Sequence, residues 1–207
     1  AAAALLLCCL APVSGEYITT GETWRIHEAC IKDDPKGIKE AIAKGGDIEG
    51  LEKGGQTPLM RAVLMNRVNS VRTLLELGAD PHKVDELGFG LLHMASLRGR
   101  TEIAKMLLEH GGFDVNERLE DGFAPLHRLA FGDSPAHVEM AALLLESGAD
   151  INLPTGPLDS HDGQSFHVTQ LVQDGATEMA ELLKEYLKRA AVAAVKDVQA
   201  GDTHDEL

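Results

Sequence analysis

The chain repeats itself. Thr57-Pro58-Leu59-Met60-Arg61-Ala62, Gly90-Leu91-Leu92-His93-Met94-Ala95 and Ala124-Pro125-Leu126-His127-Arg128-Leu129 lie over one another, with starts 33 and 34 residues apart. Further along each unit comes a leucine pair, Leu74-Leu75, Leu107-Leu108 or Leu144-Leu145. Three residues after each pair stands Gly78, Gly111 or Gly148. A fixed period of this length marks a stack of small repeated units. Each unit carries apolar residues on one face of two helical stretches, as in Leu59, Ala62, Val63, Val71, Leu74 and Leu75. One helix pair cannot bury such a face alone, whereas stacked neighbours can. Aromatic residues make up only 4% of the chain, which also favours helices, since strands prefer aromatic and β-branched residues. The expected fold class is therefore all-α, a solenoid of about five helix-turn-helix units.

Local chemistry sets the boundaries. Thr57 suits a helix N-cap and Pro58 the first helical position. Gly90 and Ser165 are acceptable caps, while Ala124 is a poor one and leaves Pro125 to start its helix. Gly45, Gly78, Gly111 and Gly148 fall where a left-handed residue closes each second helix, and Asn66 and Gly99 where one closes the first. The clear units span about 55–87, 88–121 and 122–162. Two degenerate units flank them, at about 22–54 and 163–186. The upstream one begins at Ile26-His27-Glu28-Ala29, and the downstream one has Glu178 to Leu183 as its second helix. Terminal units are expected to be atypical because one side meets water. Phe113 is an extra residue in the third unit's exit. The turn between the helices of the fourth unit is longer by about three residues, and the loop after Asn152 by about five. Residues 187–199 continue as an alanine-rich helical extension.

These units resemble the ankyrin family, whose repeat reads G-x-T-P-L-H-x-A…L-L-x-x-G-A-D-x-N; Gly78-Ala79-Asp80 and Gly148-Ala149-Asp150 match its end. The resemblance covers roughly residues 21–186. It implies a protein-binding scaffold, with partners held by loop fingertips and the exposed side of the first helices. Carried over position by position, that surface comprises Ile31, Arg61, Leu64, Met65, Met94, Leu97, Arg98, Arg128 and Phe131, together with Glu28 and Lys32. Met65 and Met94 would give it a pliable apolar stripe. Fingertip acids Glu49, Glu52, Asp85, Glu86, Glu117, Glu120 and Asp121 would rim it, which suits a partner with basic and apolar residues. Substituting Met65 and Met94 by glutamate is expected to abolish capture without disturbing folding.

No catalytic or cofactor-binding constellation stands out. His27, His93 and His127 recur at the repeat spacing, too far apart along the chain for a metal pair on one helix. In the family this position is structural. Asp159, His161 and Asp162 read as a solvated loop tip. No phosphate-binding glycine loop, metal-spaced cysteine pair or nucleophile elbow is present, and no asparagine has the spacing for N-glycosylation. The formal net charge of −14 disfavours nucleic acid and anionic membranes.

The two ends read as addresses. Residues 1–15 resemble the apolar core and cleavage site of a signal peptide with its start missing, with a fragment of a signal anchor as the competing reading. The run is too short to span a bilayer by itself, so no membrane span is expected in the mature chain. At the other end, residues 200–207 form a polar tail closing on His204-Asp205-Glu206-Leu207. This resembles the HDEL signal read by the receptor that retrieves proteins to the endoplasmic reticulum. With Cys8 and Cys9 removed, Cys30 is a single thiol, in keeping with an oxidising lumen. A cytosolic adaptor and a regulatory fragment of a larger protein are the alternatives.

Overall fold

The computed structural model describes residues 21–132, 134–156, 165–172 and 178–189. Four helical hairpins follow one another: α1 (Glu22–Lys32) with α2 (Pro35–Ala43), α3 (Pro58–Leu64) with α4 (Val68–Glu76), α5 (Leu91–Leu97) with α6 (Thr101–His110), and α7 (Pro125–Leu129) with α8 (Pro135–Glu146). The fifth unit contains the short α9 (Val168–Leu171) and a helix over residues 178–189, here α10. First helices pack in one row, α1 on α3 on α5 on α7 on α9, and second helices in a row behind it, α2 on α4 on α6 on α8. No strand occurs among the described residues, and the helical solenoid is as the repeat predicts.

The core is a set of columns running through the stack. Ile26, Leu59, Leu92 and Leu126 occupy one repeat position, and Ala41, Leu74, Leu107 and Leu144 another; all eight are buried. Each buried leucine or isoleucine contributes about 1.5–3 kcal/mol. Met179 and Leu183 of α10 are buried too, so this helix closes the downstream end of the core.

Capping follows the sequence in the clear units and departs from it downstream. The Thr57 hydroxyl accepts from the Met60 N–H at 3.2 Å, and Pro58 starts α3. At α7 the missing side-chain cap of Ala124 is replaced: the Ala124 N–H donates to His127 Nδ1 at 3.1 Å. The last unit starts two residues later than expected. His167, not Ser165, is the N-cap of α9, and its N–H donates to Gln170 Oε1 at 2.7 Å. Gln170 thus stands where His127 stands in the unit before.

The first-helix exits form a left-handed column of Asp33 (φ 55°), Asn66 (φ 58°) and Gly99 (φ 60°). Only Gly99 needs to be glycine for space as well, because a Cβ there would lie 3.2 Å from backbone atoms of Ala136 and His137. Asp33 was not expected in this role, and it has a second one. Its Oδ1 accepts from the Ser70 N–H at 2.8 Å and the Ser70 hydroxyl at 2.9 Å, and its Oδ2 from Asn69 Nδ2 at 2.9 Å. The first unit therefore caps α4 of the second, whose own N-cap, Arg67, offers no side-chain bond. Partial burial pushes the Asp33 carboxyl up, yet these hydrogen bonds hold it below the usual carboxylate range.

Insertions fall differently from the sequence reading. In the fourth unit α7 has only five residues, the turn 130–134 has five, and α8 has twelve, against seven, three and nine in the second unit. The added residues thus lengthen both the turn and the second helix. In the fourth loop the closing bond, Thr155 N–H to Phe166 C=O, joins residues eleven apart, where Glu52–Gln56, Asp85–Phe89 and Leu119–Phe123 are four apart. The loop is longer by seven residues, not five, and Asp159, His161 and Asp162 lie in the part outside the described residues. So do residues 1–15, the end of the 187–199 extension beyond residue 189, and His204 to Leu207.

Candidate partner-binding surface

Four loops, or fingers, connect successive units, at residues 47–56, 80–89, 114–123 and 150–166. Each opens on an aspartate whose Oδ1 accepts the N–H two residues on: Asp47 from Glu49, Asp80 from His82, Asp114 from Asn116 and Asp150 from Asn152, all at 2.8–2.9 Å. Aspartate suits this turn because its short side chain reaches its own backbone. The fingers are then anchored by the repeated histidines. His27 Nε2 donates to the Gly50 carbonyl at 2.8 Å, His93 Nε2 to Glu117 at 3.1 Å and His127 Nε2 to Leu153 at 2.9 Å. A carbonyl only accepts, so Nε2 carries the proton in each ring. For His127, Nδ1 is then the bare acceptor that the Ala124 N–H requires. The rings are neutral finger clamps, and among the described residues no group of three His, Cys, Asp or Glu side chains is placed to hold a metal ion.

Burial pushes all three histidines below their ordinary value, and His93, with the Arg128 charge adding to burial, falls to about 4. An unfolded histidine titrates near 6.5. Above that pH both states are neutral and the clamp contributes fully. Between pH 6.5 and 4 the unfolded chain takes up protons that the folded ring refuses, so stability falls with acidification. His93 alone is expected to account for a loss of about 3 kcal/mol across this window. Urea titrations at pH 7, 5.5 and 4.5 check it. His93→Gln, which borrows the residue used at Gln170, is expected to flatten the dependence by about one proton.

The first-helix surface is smaller than the family pattern implies. Met65 is 39% exposed, Arg98 is exposed, and Ile31, Arg61, Leu64, Leu97 and Phe131 are half-buried. Glu28 and Lys32 pair with one another at 2.7 Å. Two expected members are not at the surface at all. Met94 is 2% exposed and Arg128 1%. The Arg128 guanidinium lies 4.5 Å from the centre of the Phe89 ring and 4.9 Å from that of Phe123, and it pairs with Asp121. Arginine adopts this geometry because its flat cation stacks on ring faces. Arg128 therefore reaches back from the fourth unit to the third and works as an internal strut. With Met94 inside, the pair of methionines expected to form a pliable stripe is reduced to Met65.

The acidic rim is also largely spent within the chain. Glu49 accepts from the Asp80 N–H at 2.7 Å and pairs with Lys83 at 3.2 Å. Glu52 lies 3.6 Å from Arg61. Asp85 accepts from the N–H groups of Leu87 and Phe89, and Asp121 holds Arg128. Exposed Glu86, Glu117 and Glu120 are the fingertip carboxylates, among the described residues, without such a bond. The sequence reading passed over the most exposed apolar side chains on the fingers, Val84 at 56% and Leu87 at 52%. Their signal was present as apolar residues in loops that are otherwise polar.

Comparison with known proteins agrees with this architecture. The family model described as ankyrin repeats (three copies) matches residues 5–85 and 77–155. The chain is 34% identical over 171 residues to the E3 ubiquitin-protein ligase Ufd4 of Drosophila melanogaster, covering 82% of the chain and 6% of that protein. It is 32% identical over 138 residues to Inversin of Gallus gallus (66% of the chain, 12% of Inversin). It is 28% identical over 168 residues to the human transient receptor potential cation channel subfamily A member 1 (80% of the chain, 14% of the channel). The chain thus spans only a small part of each relative. A stack of helix pairs with left-handed exits and histidine-anchored fingers, matched by a family model over most of its length, belongs to the ankyrin-repeat family.

Proposed function

We propose that this chain is a non-catalytic scaffold that holds another protein against the first helices and fingers of its stacked units, and that it does so in the lumen of the endoplasmic reticulum. The observation that carries the binding reading is the accessible ridge of Met65 and Arg98, flanked by half-buried Ile31, Arg61, Leu64, Leu97 and Phe131, on a frame held rigid by repeated hydrogen bonds. A preorganised surface loses little entropy on binding, so modest contacts suffice. Met65 is an adaptable apolar anchor. The acids free on the fingers favour a partner with basic and apolar residues. The luminal part rests on the signal-like residues 1–15 and on His204, Asp205, Glu206 and Leu207, which would engage the retrieval receptor. Nucleic acid is disfavoured by the charge. Among the described residues no helix is long and apolar enough to cross a membrane.

One experiment tests both parts. A photo-crosslinking residue is placed at Met65 or, as a control on the second-helix row, at exposed Arg72, and cells are fractionated after irradiation. A defined adduct is expected from position 65 alone, in the luminal fraction, and blocking Leu207 with added residues is expected to send the protein into the medium. Equal labelling from both positions would remove the first-helix assignment. A cytosolic adduct would leave the scaffold standing and remove the lumen.

A further inference from the structure

The fingers are not evenly spaced in their bonding. Fingers one and two are bridged by Asp80 N–H to Glu49, by the Lys83–Glu49 pair and by Glu86 N–H to the Gly54 carbonyl. Fingers three and four are bridged by Asp150 N–H to Asn116 Oδ1, Asn116 Nδ2 to the Gly148 carbonyl, Arg118 to the Pro154 carbonyl and Gly156 N–H to the Gly122 carbonyl. Between fingers two and three no hydrogen bond runs among the described residues. The cause is legible in the sequence. Where Glu49 and Asn116 supply the bridging oxygen, the second unit has His82, and the third unit inserts Phe113 at its exit. The two rings meet there instead, with centroids 4.9 Å apart and planes tilted by 38°. The bases of these fingers stay joined, because Arg128 lies between Phe89 and Phe123. Between the two fingers lies a cleft of about 160 Å³ whose walls include His82, Val84, Leu91, Phe113, Glu117 and Leu119.

We infer that this cleft between the second and third fingers is a docking site for an extended protein segment that carries a bulky apolar side chain beside lysine or arginine. The inference rests on the scaffold reading above but not on the first-helix ridge. The space is of the size that takes one leucine, methionine or phenylalanine side chain, between apolar Val84, Leu91, Phe113 and Leu119 on one hand and polar His82 and Glu117 on the other. Val84 on the wall and Leu87 on the same finger are more than half exposed, which leaves both open to an apolar contact. Glu117 lines the cleft, Glu120 follows Leu119, and Glu86 precedes Leu87. Among the described residues none of the three carboxylates has an intramolecular partner, and the chain's net charge of −14 reinforces attraction for a cation. An acidic or wholly apolar segment would lack these contacts.

The test uses a random dodecapeptide phage library panned on the full chain, with the enriched peptide then made synthetically. The expected outcome is a motif of a large apolar residue next to a basic one, with amide shifts in NMR spectra confined to Val84, Leu87, Phe113, Glu117 and their neighbours. Val84→Asp with Leu87→Asp, both exposed, is expected to weaken the peptide by about tenfold or more, and Glu117→Lys to weaken it in a salt-dependent way. Met65→Glu is expected to leave it unchanged. No enrichment, an acidic motif, or binding that survives Val84→Asp with Leu87→Asp would overturn the site. Loss of peptide binding on Met65→Glu instead would assign the contact to the first-helix ridge, so this failure is separable from failure of the scaffold reading.

Discussion

Met94→Glu is expected to unfold this protein, whereas Met65→Glu is expected to leave its melting unchanged. The family pattern puts both on the exposed side of the first helices; Met65 is the C-cap of α3, and Met94 lies within α5 of the next unit. Met94 is sealed in the core, 2% exposed. A glutamate there must either bury a charge or take up a proton and lose its hydrogen bonds to water, and the methionine's packing is lost as well. The cost is about 4 kcal/mol or more. Domains of this size have only about 5–15 kcal/mol in total. Neighbouring units depend on each other, so the loss spreads. Met65 is exposed, and its substitution stays within about 0.5 kcal/mol. Circular dichroism melts of the two variants check this, and equal melting would return Met94 to the surface.

The second large effect concerns the Asp121–Arg128 pair, and the order of the variants carries the prediction. Asp121→Ala leaves the guanidinium in place, nearly all of it buried, with its charge unpaired. Leaving a buried cation without its partner in this way costs about 2–3 kcal/mol, below the cost for a pair buried on both sides because water reaches the Asp121 end. Arg128→Met keeps the apolar stem between Phe89 and Phe123 and leaves Asp121, which is partly exposed, facing water. The loss is then limited to the cation–ring contact and imperfect fill, about 1–2 kcal/mol. The carboxylate deletion should therefore hurt more than removal of the cation, and the double variant should resemble Arg128→Met. Urea midpoints of the three variants form the cycle that measures it. Arg128→Lys is not expected to rescue the loss, because an ammonium cannot stack flat between two rings.

Much of the fold could be read from residue order. Thr57-Pro58, the leucine pairs and the glycines at 78, 111 and 148 mark helix starts, buried faces and exits, and each depends on chemistry local to a few residues. Repetition multiplies weak signals, and a helical hairpin stands at residues 22–43, where the degenerate repeat lies. Errors came where a residue acts across units. Asp33 caps a helix in the next unit, and nothing in its own neighbourhood announces that. His167 rather than Ser165 starts α9, because Gln170 reaches back to its N–H and a sequence template favours the hydroxyl. The fourth unit's extra residues went partly into a helix, since Pro135 can start a helix as well as sit in a turn.

The candidate surface was less legible than the fold. The family position shared by Arg61, Met94 and Arg128 is one column, yet its members differ from half-exposed to sealed. What separates them is how far a side chain extends into the adjacent unit: Arg61 stays near Glu52, while Arg128 reaches the Phe89 ring. The acidic rim failed for the same reason, since Glu49 and Asp121 serve as internal ligands. The extra Phe113 was visible as an insertion. Its consequence, a missing bridge and a cleft beside Val84, depends on a ring from the preceding unit.

Sequence alone determined the period and the all-helical class, because helix formation, capping and burial of a face act over a few residues or one repeat; that the repeated histidines are neutral clamps followed from the carbonyls their Nε2 atoms meet. Tertiary structure alone decided which side chains remain free to meet a partner. Exposure belongs to the stack: a residue is open or covered according to what the neighbouring unit sends across, and that neighbour stands some thirty residues away in the chain.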